Sequence, residues 1–161
     1  MTLSLVDFRR IENFLYREAR LMDVNAYEEW LSLWAAENIC YWVPGSAEET
    51  DPAAQISIIY DNRKRLEARI KRLVSGYAYA QEPKSRMRRV ISNIEIDQAE
   101  DGIVTTWSNF ALGEFRRGDQ DLFIGRTMHK LRPDGDSFKI VFKKVLLINS
   151  DSYIDNLTFL V

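Results

Sequence analysis

The sequence is poorest in the residues that build metal centres and covalent crosslinks. Among 161 residues there is one cysteine, Cys40, and one histidine, His129. A lone cysteine excludes an intrachain disulfide. A structural zinc site needs about four Cys and His ligands, a Rieske cluster two of each, and a facial iron triad two His and a carboxylate. None of these can form within this one chain, so any such chemistry belongs to a partner. Seven glycines and four prolines are too few for collagen-like or linker sequence. No apolar run approaches the roughly 18 residues of a membrane span. The N-terminus lacks the charged start and long apolar stretch of a signal peptide, which predicts a cytoplasmic protein. Lys and Arg number 22 against 24 Asp and Glu, a net charge of −2. That balance offers no overall attraction to nucleic acid or to an anionic membrane.

What is present is a globular composition: 46% hydrophobic, 29% charged, with eight Phe, seven Tyr and four Trp that need burial. The length predicts a single domain over residues 1–161. Helical patterns fill the first half and strand patterns the second, which predicts α+β rather than alternating βαβ units. A first helix is expected over about residues 5–22, opened by Ser4 with Asp7 as a capping-box variant. Phe8, Ile11, Leu15, Ala19 and Met22 form its apolar stripe. Asn25 is expected to cap a second helix carrying Tyr27, Trp30, Leu31 and Trp34. Residues 39–43 read as a strand ended by Pro44-Gly45, and 45–57 as an exposed loop. A third helix is expected from Asn62 to Ser75, with Leu66, Ile70, Leu73 and Tyr77 buried and Gly76 at its end.

From Arg86 the period changes to two, with Val90, Ser92, Ile94 and Ile96 expected on one face. Asp101-Gly102 marks a hairpin. Strands follow over about Ile103–Arg116, Leu122–Leu131 and 138–149, with turns at Arg117-Gly118-Asp119 and Pro133-Asp134-Gly135-Asp136. In the last strand Phe138, Ile140 and Phe142 alternate with Lys139, Val141 and Lys143. A short strand-like tail covers 157–161. Strands this long twist and curl. Three helices packed in a strongly curved, mainly antiparallel sheet predict a cone that encloses a pocket or an apolar plug.

The order of these words is specific where no single word is. FLYREARLMD at 14–23, Glu29-Trp30, Tyr41-Trp42-Val43-Pro44, Arg69, Leu73, Ser75-Gly76 and Glu82-Pro83 come first. Ser85-Arg86, Arg88-Arg89, Ser92-Asn93, Ser108-Asn109-Phe110, Leu122 through Arg126 and Leu131-Arg132 follow. Phe138-Lys139-Ile140, Val145-Leu146-Leu147 and Leu157 through Leu160 complete the series. Taken in order, the chain resembles the small (beta) subunit of bacterial aromatic-ring-hydroxylating dioxygenases, over nearly its whole length. The resemblance implies a nuclear-transport-factor-like (cystatin-like, SnoaL-like) cone. It implies a non-catalytic structural subunit with no cofactor of its own. The partner would be a large (alpha) subunit holding a Rieske 2Fe-2S cluster and a mononuclear Fe(II). Three large and three small subunits would assemble, the small ones as a trimer. Electrons from NAD(P)H through a reductase and ferredoxin would drive cis-dihydrodiol formation from an arene, in aromatic compound catabolism.

Candidate sites divide between a surface and a pocket. Arg69, Arg86, Arg88 and Arg89 are candidates for pairing with carboxylates of neighbouring subunits, since the guanidinium fork binds carboxylate bidentately. A solvated helix face and a charged sheet edge are the alternative reading. Trp30 and Trp42 are candidates for interface anchors or for core packing. His129 shares a strand face with Phe123, Thr127 and Leu131, as a buried hydrogen-bonded histidine or as a general base in a cone pocket assisted by Tyr16 or Asp23. The second possibility belongs to an alternative function, a stand-alone cone-fold isomerase, dehydratase or hydrolase acting on a small hydrophobic substrate. A stand-alone scaffold without an oxygenase partner is the third.

Overall fold

A computed structural model describes residues 4–45, 51–53, 56–75, 83–97, 100–149 and 159–161. Of the expected elements, residues 46–50 and 54–55 of the acidic loop, Gly76 and Tyr77 after the third helix, and Leu157-Thr158 of the tail lie outside the described residues.

Helix α1 spans Leu5–Asp23. It begins where a capping box closes: the Asp7 N–H donates to Ser4 Oγ and the Ser4 N–H to Asp7 Oδ2, each at 3.1 Å. It ends in a left-handed residue, Asn25 (φ 59°), a conformation asparagine tolerates. Asn25 therefore closes the first helix and does not cap the second. Helix α2 is a single turn, Tyr27–Leu31. Trp34 has left it and lies in an isolated parallel bridge to Ile140, yet the three rings Trp30, Trp34 and Tyr41 still meet edge-on at 5.5–5.9 Å.

Strand β1 (Cys40–Pro44) pairs antiparallel with β2 (Ser57–Asp61). The sequence assigned no strand here: the expected loop ends at residue 57, where β2 begins, and residues 58–61 had no element. Helix α3 (Arg63–Val74) starts at Asn62, whose side chain accepts from the Arg65 N–H at 2.9 Å. Strands β3 (Arg86–Ile96), β4 (Val104–Arg116), β5 (Asp119–Asp134) and β6 (Ser137–Leu147) follow. The six strands run in the order β2-β1-β6-β5-β4-β3. Only β1 and β6 are parallel neighbours. The hairpin turns at Asp101-Gly102 and Arg117-Gly118 carry positive φ at both central residues, the backbone that matches strand twist.

Two irregularities reverse expected faces. In β3 the register shifts between Ser92 and Glu95, with Asn93 at φ 52°. Val90 and Ser92 therefore point out while Ile94 and Ile96 point in, and the inward row before the shift is Met87, Arg89 and Ile91. In β6 a shift opposite Lys130/Leu131 lies between Ile140 and Phe142. It turns Lys143 inward with Val145 and Leu147, whereas strict alternation would have put Phe142 there. Gly125 on β5 is a packing requirement: a Cβ there would lie 2.5 Å from the Leu146 carbonyl and 2.9 Å from the Phe110 ring.

The sheet curls around α1, whose Ile11, Phe14, Leu15, Met22 and neighbours pack with Leu112, Leu131, Ile140 and Leu147 in one core. Phe159, Leu160 and Val161 are buried in that core too, with the Phe159 ring 5.4 Å from Phe123. They fill the cone as a plug, not as a strand.

Candidate functional site

The polar interior of the cone is built from three distant stretches. Glu18 sits on the buried face of α1, beside Leu15, Ala19 and Met22. His129 on β5 and Lys143 on β6 are cross-strand partners, so their side chains emerge side by side toward the helix. Lys143 Nζ donates to Glu18 Oε1 at 2.6 Å, and Trp30 Nε1 donates to the same oxygen at 3.3 Å. His129 Nε2 lies 3.0 Å from Glu18 Oε2. An ionised carboxylate only accepts, so Nε2 carries the proton in this pair. The three side chains are only 4–5% exposed. The Lys143 ammonium also faces the rings of Trp30 and Tyr41 at 5.8 and 5.7 Å.

Burial alone would raise the Glu18 carboxyl, but the charge of Lys143 and the contact with His129 hold it well below the usual carboxylate range. Burial pulls Lys143 below the usual lysine range, against the attraction of Glu18. Burial likewise raises Tyr41, whose hydroxyl donates to the Val161 carbonyl.

A second buried pair closes the cone beside the first. Arg89 Nη1 donates to Asp23 Oδ1 at 2.6 Å and the Arg89 N–H donates to Asp23 Oδ2 at 2.9 Å. The other arm of the guanidinium donates to the Leu160 carbonyl, tying down the plug.

Between these groups lies a cavity of about 20 Å³, lined on its polar side by Glu18, Arg89, Ser108, Thr127, His129 and Lys143. That is room for about one water; a site that takes up benzene is nearer 150 Å³. The expected trio of Tyr16, Asp23 and His129 is not assembled. His129 lines the cavity and is buried and hydrogen-bonded. Tyr16 is 42% exposed on the outside of α1, where its hydroxyl donates to Glu12 at 2.9 Å. Asp23 is sealed by Arg89. Glu18 and Lys143 escaped the sequence reading. The signal for Glu18 was a carboxylate within the apolar stripe of α1. Lys143 gave none, because the bulge that turns it inward is a tertiary feature.

The surface candidates also separate. Trp30 is fully buried and Arg89 is turned inward, so both are held within the chain. Arg69 makes a two-pronged contact with Asp61 at 2.6 and 3.2 Å. Trp42 is buried between Tyr60 and Lys144, and its Nε1 donates to Ser57 at 3.0 Å. Arg86 and Arg88 are exposed on β3, Arg86 lying over the Phe115 ring at 5.9 Å. Among the described residues no three His, Cys, Asp or Glu side chains are grouped to hold a metal, and no helix is long and apolar enough to cross a membrane.

Comparison with known proteins gives a consistent answer. The chain is 34% identical to the beta subunit of toluate 1,2-dioxygenase from Pseudomonas putida over 154 residues, covering 92% of this chain and 93% of that one. It is 33% identical to the small oxygenase component of the p-cumate 2,3-dioxygenase system of the same species, over 89% of this chain and 81% of that one. The crystal structure of the beta subunit of benzoate 1,2-dioxygenase from Burkholderia mallei superposes with a TM-score of 0.77 at 32% identity, covering 99% of each chain. The family model described as the ring hydroxylating beta subunit matches residues 17–152, and the chain belongs to that family, the beta subunits of ring-hydroxylating dioxygenases.

Proposed function

We propose that this chain is the structural small subunit of an oxygenase that adds dioxygen to an aromatic ring, and that its work is assembly. The observation that carries this reading is the charge-paired interior among the described residues. In a chain that matches dioxygenase beta subunits along almost its whole length, Glu18 pairs with Lys143 and His129, and Asp23 with Arg89. The space left among them holds about one water. A cone-fold isomerase, dehydratase or hydrolase needs an open pocket with converging polar groups; among the described residues the converging groups Glu18, His129 and Lys143 are instead paired with one another beside a space of about one water.

The partner is a large subunit carrying a Rieske cluster and a mononuclear iron, with three large and three small subunits in the cytoplasm. A reductase and ferredoxin deliver electrons. One arene, one dioxygen, two electrons and two protons balance to one cis-dihydrodiol, and none of these steps involves a residue of this chain. The small subunits hold the large ones in register so that electrons cross between neighbours. Arg86, Arg88 and Arg69 are the candidates that keep part of their surface exposed, whereas Trp42 is buried. The test is purification through a tag on this chain from its native cells, with mass spectrometry and iron analysis. A stoichiometric iron-containing partner with Rieske-type Cys and His ligands is expected. An iron-free chain without a partner, from cells expressing the oxygenase genes, refutes the reading.

A further inference from the structure

Within the described residues, His129 uses one of its two ring nitrogens. Nε2 meets Glu18 Oε2 at 3.0 Å, whereas Nδ1 is buried and no group of the chain bonds to it. A ring nitrogen left in that state carries the full cost of leaving water with no bond in return. Folded proteins hold few such groups, and each calls for a partner.

Charge and reach define that partner. Glu18 and Asp23 bring two negative charges into the interior, and Lys143 and Arg89 bring two positive ones. These four balance, so an imidazolium would add a buried charge with no counter-charge among them. A neutral ring whose proton faces Glu18 from Nε2 presents a lone pair at Nδ1, and a lone pair needs a donor. No side chain supplies one directly, so the donor has to bridge.

The cavity of about 20 Å³ gives a bridging group its place. His129, Ser108 and Thr127 all line it. Ser108 on β4 and Thr127 on β5 are cross-strand partners, 3% and 6% exposed, so their hydroxyls emerge side by side. His129 lies two residues beyond Thr127 on the same inward face. A water needs about 10–15 Å³ and two to four polar partners. Three converge on this space: the Nδ1 lone pair, and two hydroxyls that can each donate or accept. One water can donate a proton to Nδ1, donate the other to one hydroxyl and accept from the second. A small cavity with an apolar lining would stay dry; this lining is polar.

We propose that the cavity is a binding site for one structural water, held by His129 Nδ1, Ser108 and Thr127, and that this water fixes the imidazole tautomer that gives Glu18 its N–H. The hydrogen bonds then run without a break from β4 and β5 through the ring to Glu18 on α1 and on to Lys143 on β6. The inference concerns the interior of this chain alone and stands apart from the structural-subunit reading.

The chain has one histidine, so isotope labelling of histidine nitrogen in the full chain reads His129 without any substitution. NMR at neutral pH is expected to show Nε2 protonated and Nδ1 unprotonated and hydrogen-bonded. Relaxation dispersion of isotope-enriched water oxygen reports water and not hydroxyl groups, and it counts long-lived waters. Wild type is expected to hold one more per chain than the Ser108→Ala/Thr127→Val double variant, whose lining has lost both hydroxyls. Thr127→Val alone is the milder variant and carries the comparison if the double variant does not fold. It is expected to shorten the residence of that water about fivefold, the effect of losing one net hydrogen bond. A proton on Nδ1 at neutral pH overturns the inference. So does an equal count of long-lived waters in wild type and double variant, or an unchanged residence in Thr127→Val.

Discussion

Glu18→Gln is the most incisive perturbation of the fold. The substitution keeps the side-chain shape and removes the carboxylate from between Lys143 and His129. At the observed 2.6 Å, the Lys143–Glu18 attraction is roughly 6 kcal/mol at an effective dielectric constant of about 20. Removing one partner of a buried pair typically costs about 3–5 kcal/mol, because the other charge is left stranded. Lys143 has one escape, which is to lose its proton. Neutralising an ordinary lysine at pH 7 costs about 4.6 kcal/mol, so the loss should lie between about 3 and 4.6 kcal/mol. For a chain of this length that lowers the melting temperature by roughly 6–18 °C. Urea unfolding followed by tryptophan fluorescence, at fixed chain concentration, reads the loss directly. Two signatures separate this account from simple loss of packing. A stranded, depressed lysine binds fewer protons folded than unfolded, so the variant should gain stability between pH 7 and 10 more steeply than wild type. Adding Lys143→Met should recover at least about 2 kcal/mol, since an apolar side chain in place of the stranded charge removes the penalty. A single variant that loses under about 1 kcal/mol, with no pH slope, would refute the reasoning.

Further outcomes follow from the same geometry. The Glu18 carboxyl is held low in the folded state despite burial, so its contribution is fully present above the ordinary carboxylate pKa of about 4.3 and is lost as pH falls through the folded value. An acid titration of stability should therefore be shallower in Glu18→Gln than in wild type. Asp23→Asn leaves the Arg89 guanidinium without its counter-charge and should cost about 3–5 kcal/mol. Hydrogen exchange at Leu160 and Val161 should rise with it, since Arg89 holds the Leu160 carbonyl; unchanged exchange would separate the plug from the pair. Gly125→Ala pushes a methyl into the Leu146 carbonyl and the Phe110 ring and should cost about 1–3 kcal/mol. Gly113→Ala, into open space, should be neutral or stabilising by up to about 1 kcal/mol. Equal melting temperatures for those two alanine variants would contradict the assigned faces.

Local chemistry made much of the fold legible in advance. Ser4 and Asp7 opened the first helix as expected, because a capping box is a contact between residues three apart. Asp101-Gly102 and Arg117-Gly118 turned the chain as expected, because positive φ is a demand made on those residues themselves. The stripe of α1 marked its buried face, and the burial of His129 followed from alternation along β5. The counts of one cysteine and one histidine bounded the metal chemistry of this chain before any fold was known. Nonlocal decisions were not legible. Asn25 has the chemistry of a cap and is used as a left-handed helix end. Strand β2 is short and becomes a strand only because β1 offers it an edge. The bulges at Asn93 and Val141 are invisible to a period-two count, yet each reverses the face of every residue beyond it, and the second is what points Lys143 into the core. Glu18, His129 and Lys143 lie more than a hundred residues apart in part. Their meeting depends on the curl of a sheet around a helix, and no window of sequence contains it. Sequence determined the locally encoded helix starts and hairpin turns, and which metal centres this chain could not build by itself. Tertiary structure decided that its buried charges neutralise one another, because side chains that converge from separate elements acquire partners only when those elements pack.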